Sequence, residues 1–288
     1  MPSIEQIHQG IQNRIDDFNK DIPKLQNEAF RKVMNTLKDL DTKSGNLQPS
    51  IANLKKLRRL KNDLLESILT EAYQKELDQY IASFLETQKL QTNYFSSTFS
   101  KFKATDFIDE LRIQAIADVG VTLGEIGLEA NIIAPIQNII KINLTSGADF
   151  GSLVQQMRSF LTKTESGAGA LARYAKTYTT DALNIFAAEY DEAVTEDLGL
   201  NWSKYLGAII GGSREFCRHL VAKKWVHKSE IPKIIKGQID GKTVSLAGLK
   251  SGTTATNFRI LRGGWHCQHR LVPISDQAVP EKLRKKFE

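Results

Sequence analysis

The chemistry this chain could do is concentrated in its last quarter. Both cysteines, Cys217 and Cys267, fall there, as do four of the five histidines, His219, His227, His266 and His269. Cys217-x-His219 and Cys267-x-His269 repeat one spacing on two separate segments. Thiolate and imidazole are the donors zinc takes in tetrahedral sites, so Cys217, His219, Cys267 and His269 form one candidate structural zinc set. The spacing is short for that purpose, because positions i and i+2 diverge on a helix. A Cys217–Cys267 disulfide is a second option. It would close a loop of about 50 residues and add roughly 4 kcal/mol by constraining the unfolded chain, although a reducing compartment opposes it. Two packed, unbonded thiols with the histidines on the surface are the third.

Catalysis fits less well. A nucleophilic cysteine needs a base and an orienting acid, and residues 213–270 offer Glu215, Glu230 and Asp240 as their only carboxylates. A metal-dependent nuclease could be drawn from His266, His269 and Glu230, but nothing in their spacing demands it. Neither G-x-x-x-x-G-K nor G-x-G-x-x-G occurs. The expectation is a protein that is not an enzyme and has no cofactor, zinc being the one candidate.

The elements that must position these residues follow from periodicity. Ile4, Ile7, Ile11, Ile15, Phe18 and Ile22 step by three or four, which predicts one apolar stripe along a helix. The stripe restarts after Pro23 with Phe30, Val33, Leu37 and Leu40. It breaks at Ser44–Ser50, and resumes from Ile51 through Leu54, Leu57, Leu60, Leu64 and Ile68, with Ser50 as cap. These read as long antiparallel or coiled-coil helices that pack on each other or on a second copy. The aromatics of 73–103 stand at helical spacing, which predicts core rather than a stacking platform for single strands. Gly120, Gly124 and Gly127 predict close helix packing, and helices recur over 150–162 and 167–198, with Gly199 as stop. No uninterrupted apolar stretch is long enough to span a membrane, and the first residues do not form a secretory signal.

After Leu200 the pattern changes. Trp202, Tyr205 and Leu206–Ile210 predict a strand, Ser213 a cap for a helix over Arg214–Lys224, and Ser229–Pro232 the start of another short helix. Glycine-rich loops follow, then a strand over Arg270–Ile274 and a mobile basic tail after Pro280. The expected fold class is α+β, mainly α. Its regions are 1–104 (elongated helices), 105–200 (helical middle) and 201–288 (a small basic α+β module).

Charge separates the same parts. Residues 1–212 carry 23 basic against 27 acidic side chains, and residues 213–288 carry 16 against 6. A basic module behind an acidic front points to nucleic acid or an acidic protein surface as partner. The cations expected to make that contact are Arg214, Arg218, Lys223, Lys224, Lys228, Arg259, Arg262 and Arg270.

Ala172-Arg173 with Thr177, Trp202 and Tyr205, Ser213-Arg214 with Cys217, and Cys267 to Pro273 together form a pattern. It resembles the C-terminal domain of phage Mu F-like minor head proteins, the head morphogenesis proteins of tailed bacteriophages. The resemblance covers about the last 40% of the chain. It departs from the family at Gly211-Gly212-Ser213, where many members carry an aspartate, and at Lys176-Thr177-Tyr178. It implies a non-catalytic minor capsid protein of the virion, assembled in the host cytoplasm at the portal vertex. Such a protein aids head morphogenesis and DNA packaging or ejection. Its partners would be the portal protein, other head proteins and packaged double-stranded DNA. Some relatives carry a toxin domain beyond this module, and the few residues after Pro273 leave no room for one. In that setting Cys217 and Cys267 would tie the module's helix to its last strand. Two rival readings stay open: a zinc-dependent nuclease or toxin-like enzyme using the C-terminal Cys/His cluster, and a nonspecific DNA-binding protein.

Overall fold

The computed structural model describes residues 3–162 and 167–287. The chain is mainly α-helical, with a small strand-containing region towards the C-terminus. The helices are α1 (Ile4–Asn19), α2 (Ile22–Lys38), α3 (Ile51–Ile68), α4 (Glu71–Thr98), α5 (Asp106–Leu123), α6 (Glu125–Leu128), α7 (Ala134–Ser146), α8 (Phe150–Leu161) and α9 (Ala170–Asp197). They are followed by α10 (Glu215–Lys223), α11 (Ile231–Ile234), α12 (Phe258–Leu261) and α13 (Glu281–Arg284). A short hairpin, β1 (Thr42–Lys43) and β2 (Asn46–Leu47), joins α2 to α3. The remaining strands are β3 (Trp202–Leu206), β4 (Trp225–His227), β5 (Gln238–Ile239), β6 (Lys242–Thr243) and β7 (Arg270–Ile274). No single helix among the described residues is long and apolar enough to cross a membrane.

The chain groups into two compact units, one of 1–15, 82–116 and 180–288, the other of 16–81 and 117–179. The basic region 201–288 lies wholly within the first, together with stretches that precede it by up to two hundred residues.

In the second unit, α2 packs against α3 and α8, and α3 against α7. Leu57, Leu60, Leu64 and Ile68 of the α3 stripe are buried, whereas Ile51 and Leu54 face outward. Ser50 caps α3 by accepting the Asn53 N–H, and Asp149 caps α8 in the same way from Ser152. Ser44 and Gly45 both take positive φ, the geometry that lets a two-residue turn follow the twist of β1 and β2. Gly127 is the glycine that close packing demands. A Cβ there would fall 2.5 Å from the Tyr174 hydroxyl, while at Gly120 it would meet open space.

The first unit holds the sheet, ordered β4-β3-β7 and antiparallel throughout. Phe95, Phe102, Ile108, Tyr190 and Val194 form a separate apolar cluster, with the Phe95 and Tyr190 rings stacked. The buried positions Tyr73, Tyr80, Phe84, Phe95 and Phe102 place the aromatics of 73–103 in cores. Three local expectations need correction. The strand ends at Leu206, because Gly207 turns the chain with φ +140, and Ile209 and Ile210 are exposed. Helix α10 starts at Glu215 with Arg214 at its N-cap, and Ser213 Oγ instead accepts the Ile210 N–H. The basic tail is docked, since the Phe287 ring lies 4.5 Å from that of His227 and 5.1 Å from that of Trp202.

Candidate metal centre

Strand β3 is the middle of the sheet and everything in the site hangs from it. It pairs with β7 in a register that sets Trp202 opposite Ile274 and Leu206 opposite Arg270. Pro273 sits opposite Ser203 on β7, an edge strand, where a missing N–H does no harm. Tyr205 therefore faces Leu271 across the ladder, next to the segment that carries Cys267 and His269. Helix α10 buries Phe216, Cys217 and Leu220 on one face, the i, i+1, i+4 pattern of an amphipathic stripe. That stripe turns Cys217 inward and leaves His219 on the side of the helix.

The three inward groups meet. Cys217 Sγ, Cys267 Sγ and a ring nitrogen of His269 all lie within 4.8 Å of one another, and all three residues are buried. His269 Nδ1 is 3.8 Å from Cys267 Sγ, and the Tyr205 hydroxyl is 3.6 Å from Cys217 Sγ. The His269 ring stacks on Tyr205, with centroids 5.5 Å apart and planes 18° apart. Its other flank lies against Gly207, where a Cβ would come within 2.5 Å of Cδ2. Both cysteines carry free thiols. A hydrogen bond from Cys217 lowers the Cys267 thiol well below its ordinary range, with His269 and Arg262 acting in the same sense. The same hydrogen bond, reinforced by burial, raises Cys217.

The loop presenting Cys267 is held from three sides. Arg214 donates from Nη1 to the Gly263 carbonyl and from Nη2 to the Trp265 carbonyl, both at 2.7 Å. Asp181 on α9 accepts the His266 N–H at 3.0 Å, which fixes His266 in its left-handed conformation, φ +56. Lys250 pairs with the same carboxylate at 3.3 Å and lies over the Trp265 ring. A small cleft lined by Ile210, Gly212, Arg214, His266 and Gln268 reaches down to both cysteines and His269.

Several residues expected at the site stand elsewhere. His219 lies 3.9 Å from Glu215, outside the Cys217–Cys267–His269 group, because i and i+2 point apart on α10. His227 caps the turn before α11 and packs against the tilted Phe287 ring.

The expected polyanion contacts need a larger correction. Arg259, Arg262 and Arg270 are 5%, 2% and 1% exposed. Arg259 binds Glu192, the Ser203 hydroxyl and the Leu271 carbonyl. Arg262 donates to the Asn184 carbonyl at 2.9 Å, and Arg270 pairs with Asp191. These cations brace the module against α9 and are not presented to an outside partner. Lys223 is committed to Glu230 and Asp240, and Arg214 to the loop. Arg218, Lys224 and Lys228 remain exposed, although the Arg218 guanidinium also bonds the carbonyls of Ser213, Ile210 and Gly211.

Four residues of the surroundings went unread in the sequence: His8, Asp181, Asp191 and Tyr205 in its contact to sulfur. The α9 pair could have been found, since Asp181, Asn184 and Asp191 fall on a face that otherwise reads Leu183, Ala187, Ala188 and Val194. A polar group in an apolar stripe announces a partner. His8 could not, because α1 reaches the neighbourhood of Arg270, His269 and Arg262 only through the tertiary fold. Burial and those three groups lower its pKa to about 3. No protein-family model, no curated protein and no solved structure matches this chain.

Proposed function

We propose that this chain is a structural minor head protein of a tailed bacteriophage that acts at the portal vertex during head morphogenesis. The observation that carries the reading is convergence. Two of the motif segments of the resemblance, Ser213-Arg214 with Cys217 and Cys267 to Pro273, lie far apart in sequence and form one packed object. Arg214 holds the loop before Cys267, and β7 completes the sheet on β3. A motif whose members support one another physically is a better guide than a string match.

In this reading the module is a docking piece without catalysis, and the exposed Arg218, Lys224 and Lys228 face acidic protein or packaged DNA. Binding of that kind is long-range and salt-sensitive. Co-expression of the chain with a candidate portal protein tests the proposal. Co-elution of both at the mass of a portal ring, dispersed by raised salt, is the expected result. Separate elution at every salt concentration, with duplex DNA bound equally well by the chain alone, overturns it in favour of a general DNA-binding protein.

A further inference from the structure

We propose that Cys217 Sγ, Cys267 Sγ and His269 Nδ1 bind one zinc ion, whose fourth position is left to a solvent molecule in the cleft beside Arg214. The inference stands on the geometry of the three ligands and does not depend on the head-protein reading.

The spacing suits the ion. Zinc holds sulfur at about 2.3 Å and nitrogen at about 2.0–2.1 Å in tetrahedral geometry, which puts a sulfur and a nitrogen ligand roughly 3.6 Å apart. Cys267 Sγ and His269 Nδ1 stand 3.8 Å apart, with Cys217 Sγ inside the same 4.8 Å group. Two thiolates and an imidazole are soft and borderline donors, the choice that selects zinc over magnesium or calcium. Two thiolates also neutralise the divalent charge, so the buried site would carry no net charge.

Orientation is already built. Tyr205 on one side and Gly207 on the other fix the His269 plane, so Nδ1 faces the sulfurs. His269 Nε2 is buried and has no hydrogen-bond partner among the described residues. Gly263 passes directly over both sulfurs, where a side chain would close the space. Among the described residues the group has these three members and no fourth. The cleft lies on the remaining side, with room for a water molecule.

Zinc content of the full chain, purified without an affinity tag or chelator, tests the proposal, together with cobalt(II) titration of the stripped protein. One zinc per chain is expected, with a thiolate-to-cobalt charge-transfer band and the visible bands of a four-coordinate ion. Cys217→Ser, Cys267→Ser and His269→Gln should each weaken binding by more than the roughly 10–100-fold that loss of an outer hydrogen bond costs. His219→Ala should leave it unchanged. Azide should alter the cobalt spectrum by entering the fourth position. If a ligand variant fails to fold, the wild-type titration decides alone. A folded, stripped chain that takes up neither ion stoichiometrically overturns the site. Loss of metal in His219→Ala overturns the ligand set, and a cobalt spectrum indifferent to azide overturns the open position.

Discussion

Arg270 and Asp191 form an ion pair with 2% and 1% of their side chains exposed, linking the first residue of β7 to the C-terminal half of α9. Gln91 on α4 donates to the same carboxylate at 2.8 Å. Burial pushes the Asp191 carboxyl up from the usual carboxylate range, and the guanidinium pulls against that shift. The side chain that segment charge alone would assign to a polyanion is therefore consumed in holding the module to its helix.

Removing one partner of a buried pair strands the other, which typically costs 3–5 kcal/mol. Arg270→Met should accordingly destabilise the chain by about 3 kcal/mol, the lower end, because Asp191 can take up a proton. The double variant Arg270→Met with Asp191→Leu should recover most of that loss. Lys224→Ala should change stability by no more than about 1 kcal/mol, the worth of its exposed contact over the Trp225 ring. Urea unfolding of the four proteins measures all of this. Equal, small effects for Arg270→Met and Lys224→Ala would show the pair to be dispensable.

The helices were legible because a 3.6-residue stripe is written in local sequence. Ile4 to Phe18, Leu57 to Ile68 and the cap at Ser50 stand as expected, whereas the break falls before Ile22, which opens α2 with Pro23 in its first turn. The C-terminal strands were legible at Trp202 and Arg270 because short apolar runs bounded by turn residues are also local signals. The meeting of Cys217 with Cys267 was legible only as a shared spacing. His219 had to be dropped because the helix that turns Cys217 inward turns its second neighbour away. The fate of Arg259, Arg262 and Arg270 was not legible from net charge, since charge counts residues and says nothing of which face they occupy. Lys223 and Arg214 were lost to internal partners for the same reason.

Gly263 offers a sharper test of the sulfur pair. A Cβ at this position would lie 2.5 Å from Cys217 Sγ and 3.0 Å from Cys267 Sγ, and neither sulfur can retreat from a packed core. Gly263→Ala should cost about 1–3 kcal/mol, the usual price of overpacking, and lower metal uptake with it. Gly212→Ala, where a Cβ meets nothing within 4 Å, is the control and should be near neutral. Thermal unfolding and cobalt titration read the two effects side by side.

Asn53 does for the second unit what Asp191 does for the first. It is fully buried, its Nδ2 donates to the Asp41 and Gln48 carbonyls at 3.1 and 2.8 Å, and its Oδ1 accepts the Asp41 N–H at 2.9 Å. All its side-chain bonds go to the backbone that flanks the β1–β2 turn. Asn53→Ala leaves the Asp41 N–H and the Gln48 carbonyl without partners, each costing about 1–3 kcal/mol if it stays dry, while the Asp41 carbonyl keeps the Gln48 N–H. A net loss of about 3 kcal/mol is expected, allowing for water entry. Asn53→Asp should be at least as damaging, since it sets an acceptor against two carbonyl oxygens. Chemical denaturation would contradict this if Asn53→Asp matched the wild type near neutral pH.

His8 makes the stability of the chain depend on pH. Its ring is half-buried, with Nδ1 out of solvent. Burial, joined by Arg270, His269 and Arg262 and weakly opposed by Cys267, lowers its pKa from 6.5 to about 3. A histidine kept neutral in the fold but free to charge when unfolded lets the unfolded state bind the extra proton below pH 6.5. Its contribution is therefore fully present above that pH and is lost as pH falls towards 3, at about 1.4 kcal/mol per unit. Replacing the ring by an apolar one of similar size, His8→Phe, removes this slope and leaves any metal contribution in both proteins. Between pH 7.5 and pH 5 the stability difference should move by about 2 kcal/mol in favour of the variant. Parallel stability curves for the two proteins over that range would mean that His8 takes its proton inside the fold.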